Sequence, residues 1–341
     1  MLTKEKIFRI GIDKISLYNF SLKTDKKFKT LTDTKENYVK EKTIISDELF
    51  SIITSYTIYQ NDNKIEESYY NKLTFNPNKI LTGDNICNST VEDFQAALKK
   101  LKEILFSMGI EIDFSQAKIA DIEINLNVPV DFENYSQVFM LFFKQLSNAK
   151  AISAITQSQR AKYFKIDESF FARLSKKSTF KVYSKDREKK LATKITRLEY
   201  YFEDNSYKYL AEKFGADNTI NTLSDNLIQE IFRYKATKDF IKKSFTYLEE
   251  ELKPLLEREY LAFKQANKLA RISGKKEERN VYKYLEQFWI FDNSFLIELI
   301  EKYDAVHKSR EINRIITKYN QYDNLKKLNY MLELILTTKT N

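Results

Sequence analysis

The chain has 341 residues, with 57 Lys and Arg against 48 Asp and Glu, a net charge of +9. Hydrophobic residues at 43% and charged residues at 31% fit a folded chain with at least one sizeable core and exclude a disordered one. One cysteine, Cys87, and one histidine, His307, exclude an internal disulfide, a multi-cysteine zinc site and a two-histidine metal site. Any metal chemistry must therefore use carboxylates, which suits Mg2+ or Mn2+. The excess of base together with 14% aromatics is compatible with nucleic-acid binding. Neither a long apolar run nor an N-terminal signal segment is visible, so the expected location is the cytoplasm, with no membrane association.

The first two hundred residues read as strands with two inserted helices. Segments 7–20, 38–45, 52–59 and 64–75 are rich in Ile, Tyr, Phe and Thr with partial period-two alternation. Asn76-Pro77-Asn78 reads as a turn. Ser89 or Thr90 then opens a helix, each three residues before an acid, Glu92 or Asp93, in capping-box spacing. Phe94, Leu98, Leu101, Ile104 and Leu105 form its apolar stripe, and Gly109 ends it. A second helix is expected near 135–146. From about Tyr207 the spacing becomes helical, Pro254 starts or kinks a helix, and Ser273-Gly274-Lys275-Lys276 is a loop.

Three strands carry polar faces with chemistry on them. In 118–127, Asp121, Glu123, Asn125 and Asn127 share one face. Two carboxylates two residues apart repel unless a cation lies between them; a solvated strand face is the plain alternative. In 178–185, Lys181, Tyr183 and Lys185 share a face, where positive charge would stabilise a Tyr183 phenolate; taken alone, the segment reads equally as an ordinary amphipathic strand. In 195–202, Arg197, Glu199 and Tyr201 share a face. If the strands are sheet neighbours, Asp121, Glu123 and Glu199 offer an oxygen-ligand metal site beside Tyr183, the minimum for metal-assisted attack of a tyrosine on a phosphodiester. Arg160 and Lys162 precede this region and are candidates, with Arg197, to hold a DNA backbone.

The order of these pieces resembles the rolling-circle replication initiators of plasmids and phages, the group that includes filamentous-phage gene II type proteins and the Rep-trans plasmid initiators. Ile12-Asp13-Lys14-Ile15-Ser16-Leu17 resembles the opening strand, and Leu81-Thr82-Gly83-Asp84-Asn85 the segment before the first helix. Ile122-Glu123-Ile124 resembles the acid-bearing strand. Lys181-Val182-Tyr183-Ser184-Lys185 with Glu188, followed by Arg197-Leu198-Glu199, resembles the paired late signatures. The likeness spans about residues 7–203. The chain departs from it in having Asp121 where Arg is common and Glu123 where Asp is common. It also lacks the histidine metal motif of the wider superfamily, an absence it shares with the Rep-trans branch.

The resemblance implies a tyrosine that nicks one origin strand, becomes linked to the 5′ phosphate and leaves a 3′ hydroxyl. Tyr183 is the first candidate, with Tyr163 and Tyr201 behind it, and Lys181 and Lys185 assist. Expected partners are plasmid or phage origin DNA, a host helicase and a second copy of the chain. The expected architecture is α+β: an antiparallel-sheet nicking domain over 1–205, followed by an all-helical domain over 206–341 that binds DNA or partners. The competing readings are a non-catalytic DNA-binding initiator and a metal-dependent nuclease that uses water.

Overall fold

A computed structural model describes residues 7–25, 28, 30–35, 38–61, 64–148, 169–203, 205–276, 292–303, 312–313 and 323–338. Arg160, Lys162, Tyr163 and His307 lie outside the described residues. An N-terminal antiparallel sheet is followed by a helical C-terminal region, in agreement with the expected α+β class. The strands are β1 (Ile10–Tyr18), β2 (Ser21–Thr24), β3 (Thr30–Lys35), β4 (Tyr38–Ser46), β5 (Phe50–Asn61) and β6 (Lys64–Phe75). They continue with β7 (Ile110–Asp113), β8 (Lys118–Val128), β9 (Ser169–Ser175), β10 (Ser178–Ser184) and β11 (Thr196–Glu203). Nine of them form one sheet in the order β3-β4-β5-β6-β1-β8-β11-β10-β9, while β2 and β7 pair separately.

The two faces of the central sheet differ in chemistry. Ile122, Ile124 and Leu126 of β8, Leu198, Tyr200 and Phe202 of β11, and Phe180 and Val182 of β10 are all buried on the apolar face. Phe75 stacks there on Phe94, with ring centroids 6.1 Å apart, and Tyr200 meets Phe232 edge-on at 5.5 Å. Burying an aromatic side chain of this kind contributes roughly 2–3 kcal/mol. The polar residues of the same strands line the opposite face.

Helix α1 (Pro77–Thr82) replaces the expected turn. Asn76 caps it by accepting from the Lys79 N–H at 2.9 Å, and Pro77 opens it, where a missing N–H costs nothing. Helix α2 (Val91–Ser107) starts on Thr90 with Asp93 as the reciprocal capping partner, so Thr90, of the two candidates, is the cap. Gly109, with φ of 74°, follows its end. Helix α3 (Phe132–Asn148) is the second inserted helix. A five-residue helix α4 (Lys185–Lys189) ends β10 at Ser184, one residue before the expected limit. Helices α5 (Asn205–Lys213) and α6 (Asp225–Lys235) follow β11. From Asp225 to Ile272 the backbone is continuously helical, with π-helical turns at Ala236–Ile241 and Leu248–Leu252. Pro254 falls in the first turn of the segment Lys253–Ile272, just after the second π turn.

The chain divides into two compact units. One comprises Met1–Pro129, Phe171–Tyr234 and Thr338–Asn341 and holds the sheet's polar face; the other comprises Val130–Phe170 and Lys235–Thr337. By contacts, then, α5 and most of α6 belong with the sheet, and α3 belongs with the C-terminal helices. Within the second unit Phe139 and Phe142 pack on Phe240, with centroids 6.0 and 5.6 Å apart. Among the described residues no helix is long and apolar enough to cross a membrane.

Candidate active site

The sheet register brings the polar side chains together. Lys181 pairs with Glu199 and Tyr183 with Arg197 between β10 and β11. Glu199 pairs with Asn125, Arg197 with Asn127 and Tyr201 with Glu123 between β11 and β8. On the far side of β8, Ile12 pairs with Ile124 and Lys14 with Glu123, which leaves Asp13 as the extra residue of a bulge in β1. The bulge explains why the buried apolar side chains of β1 run Ile10, Ile12, Ile15, Leu17 with one step of three. It also places an acid from β1 beside those of its neighbours.

Asp13, Glu123 and Glu199 each present one carboxylate oxygen, and these three atoms lie within 4.8 Å of one another. Such a cluster can coordinate a divalent metal. A second feature fits an ion at this place. The Asn125 side chain, fully buried and on the same face of β8 as Glu123, has neither its amide nitrogen nor its oxygen hydrogen-bonded. An oxygen-rich donor set of this kind suits a hard cation. Two of the three acids, Glu123 and Glu199, follow from the sequence; Asp13 does not. Asp121 lies on the same face of β8 but forms an ion pair with Lys72 and is not part of the cluster. The only sign of Asp13 in the sequence is an acid inside the family-like opening strand, because a bulge breaks the alternation that reveals a face.

Lys181 and Tyr183 enter the cluster from β10. The Lys181 Nζ lies 2.5 Å from Glu199 Oε1 and 3.3 Å from Glu123 Oε1. The Tyr183 hydroxyl donates to Glu199 Oε2 at 3.3 Å. Burial, and next the Glu199 charge, push the Glu123 carboxyl up to about 7. Lys181 is pushed up to about 12: its burial acts the other way, but the Glu199 and Glu123 charges outweigh it. Burial raises the Tyr183 phenol well above its ordinary value, with Arg197 opposing and Glu199 adding to the rise. The expected lowering by flanking lysines does not occur. Lys185 has left the strand, its side chain is fully buried, and its Nζ pairs with Glu188 at 2.8 Å. It remains near Tyr183 through its position 5.6 Å from the ring centroid. Tyr201 stands opposite Glu123, and its phenol is raised by burial and then by Asp121.

Arg197, expected on a DNA backbone, is fully buried and spends its donors on protein. Its Nε donates to Asn127 Oδ1 at 2.7 Å, and its Nη2 to Ile86 O at 2.8 Å and to Asn85 O and Asn88 Oδ1 at 3.1 Å each. Its Nη1 is 3.3 Å from Asp13 Oδ1. The guanidinium therefore fixes the 85–88 loop and orients Asp13. A buried charge requires such partners. Gly11 makes the loop's approach possible: a Cβ there would meet Ser89 O at 2.6 Å, while Ile12 and Ser89 exchange backbone hydrogen bonds of 2.9 and 3.1 Å. Asn76 Nδ2 donates to the same Asp13 oxygen at 3.0 Å.

No curated protein matches the chain. Among solved structures it is similar to a rolling circle replication initiator protein from Geobacillus stearothermophilus. That similarity is 10% identity with a TM-score of 0.33, covering 68% of this chain and 85% of the other. The family model for the N-terminal part of the phage replication-associated protein, the gene II product, matches residues 16–233, well over half the chain, and includes β8, β10 and β11. The chain belongs to that family, in line with the rolling-circle replication initiators that its motifs resemble.

Proposed function

We propose that the chain nicks and rejoins origin DNA by transesterification, with Tyr183 as the attacking group. The observation that carries this reading is the Tyr183 hydroxyl 3.3 Å from Glu199 Oε2, a carboxylate of the three-acid cluster. The phenolic oxygen attacks the scissile phosphorus, and the bond from phosphorus to the 3′ oxygen breaks. The products are a 5′-phosphotyrosine and a free 3′ hydroxyl; rejoining reverses both changes. Glu199 takes the phenolic proton, which the raised phenol would not lose unaided, and passes it to the leaving 3′ oxygen. Lys181 offers positive charge to the developing phosphorane oxygens. Lys185 and Arg197 hold the Tyr183 ring and the Asp13 carboxylate in place. Asp13, Glu123 and Glu199 would hold Mg2+ or Mn2+, which polarises a phosphate oxygen as a Lewis acid when bound.

The chosen DNA is an origin of a phage or plasmid, and the helical unit is the proposed source of duplex affinity, through lysines such as Lys238, Lys242 and Lys243. The raised Tyr183 phenol favours a second reading, in which water attacks and Tyr183 only orients Glu199. A single assay separates the two. Single-stranded origin DNA is incubated with the full chain and Mg2+ or Mn2+, then run on a denaturing gel. Nicking with a protein-linked 5′ end supports tyrosine attack. Nicking with a free 5′ phosphate supports water.

A further inference from the structure

Lys181 stands between two of the candidate metal ligands. Its Nζ contacts Glu199 Oε1 at 2.5 Å and Glu123 Oε1 at 3.3 Å. Both acids belong to the cluster with Asp13, and Glu199 and Glu123 side chains are only 4% and 13% exposed. Acids so buried and so close need a cation among them. The lysine supplies it at the end of a flexible four-carbon stem from β10. That side chain is 35% exposed, so it borders solvent, and its flexible stem lets the ammonium swing by side-chain rotation alone.

A divalent cation drawn to these carboxylates competes with the ammonium, because like charges at contact distance repel strongly in a buried site. We infer that Lys181 is a resident counter-cation that a divalent metal must displace, and that the released ammonium becomes the site's contact to the scissile phosphate. This rests on the reading of the cluster as a metal site. Metal binding then does two things at once: it charges the cluster and frees the lysine. The chain holds its acids compensated when no metal is present, and presents its full positive charge only when the cluster is loaded.

The test separates metal affinity from cleavage. Free Mn2+ is followed by its electron paramagnetic resonance signal while the full chain is titrated, for wild type, Lys181→Met, Lys181→Gln and Lys181→Arg. The two neutral variants should bind Mn2+ about tenfold or more tightly than wild type, a change of one competing charge at contact distance. Lys181→Arg, which keeps the charge, should stay near wild type. Cleavage of single-stranded origin DNA at saturating Mn2+ should nonetheless fall in both neutral variants. A lysine that merely supported the fold would not strengthen metal binding and weaken cleavage together. Equal or weaker Mn2+ binding by the neutral variants overturns the inference while leaving the metal site standing. Binding by none of the four chains removes the metal site itself. Tighter binding with undiminished cleavage overturns the role at the phosphate. Thermal melts by circular dichroism identify any variant that fails to fold, and the comparison of Lys181→Gln with Lys181→Arg then carries the test.

Discussion

The Tyr183 hydroxyl donates to Glu199 Oε2 while the other oxygen of the same carboxylate receives Lys181. One acid thus joins the proposed nucleophile, the lysine and the metal cluster. Tyr183→Phe removes the hydroxyl and leaves the ring, which sits beneath Lys185. The variant should lose nicking while its stability changes by about 1 kcal/mol, the scale of one hydrogen bond. Cleavage assays and a urea unfolding curve check the two halves.

The cluster predicts an order among the acids. Asp13→Asn, Glu123→Gln and Glu199→Gln should each weaken Mn2+ binding and cleavage, because each removes an anionic oxygen from a hard cation. Asp121→Asn should matter less, since its carboxylate pairs with Lys72. A calorimetric metal titration of the four variants ranks them. Loss of metal binding on Asp121→Asn with retention on Asp13→Asn would reverse the assignment.

Arg197 and Gly11 make a prediction about the loop over the site. Arg197→Ala strands the buried Asp13 carboxylate and frees the 85–88 carbonyls, so it should cost about 3–5 kcal/mol. Gly11→Ala forces a Cβ against Ser89 O and should also destabilise the chain. Because it disturbs the loop that Arg197 anchors, it should also reduce Mn2+ affinity without removing any ligand. Chemical denaturation and metal titration of both variants test this.

Acid stability should depend on Asp93. Its burial opposes ionisation, but the Thr90 backbone and hydroxyl and the Arg9 charge together hold its carboxyl below the ordinary value. The folded value is depressed, so the stabilisation is present above the unfolded value near 3.8 and is lost as pH falls through the folded one. Asp93→Asn should flatten that limb of the stability curve below about pH 4 and also weaken the capping of α2 by roughly 1 kcal/mol at neutral pH. Denaturation midpoints of the two chains from acid to neutral pH give the comparison.

Much of this architecture is legible in the sequence. Period-two alternation exposes the polar faces of β8, β10 and β11, and with them Glu123, Glu199, Lys181 and Tyr183. The capping spacing at Thr90 and Asp93 and the glycine at 109 mark α2 at both ends. Long-range register is not legible. Alternation says which face an acid is on, and only pairing says which acids meet. Asp13 is hidden by the bulge in β1, and Asp121 is overvalued because its partner, Lys72, lies on a strand distant in sequence. Arg197 resembles a surface residue on a polar face, but the 85–88 loop covers it. Lys185 has the spacing of a last strand residue, yet Ser184 ends β10 and the lysine turns inward to Glu188.

Tyr183, beside the carboxylate cluster, is the proposed point of covalent attachment to DNA. The most direct measurement is mass-spectrometric mapping of the peptide that carries the nucleotide adduct. The full chain is incubated with single-stranded origin DNA and Mn2+, digested with nuclease and protease, and its modified peptide sequenced. One adduct is expected, on Tyr183, absent when Mn2+ is chelated and absent in Glu199→Gln. An adduct on Tyr163 or Tyr201, or one that forms in excess chelator, would contradict it.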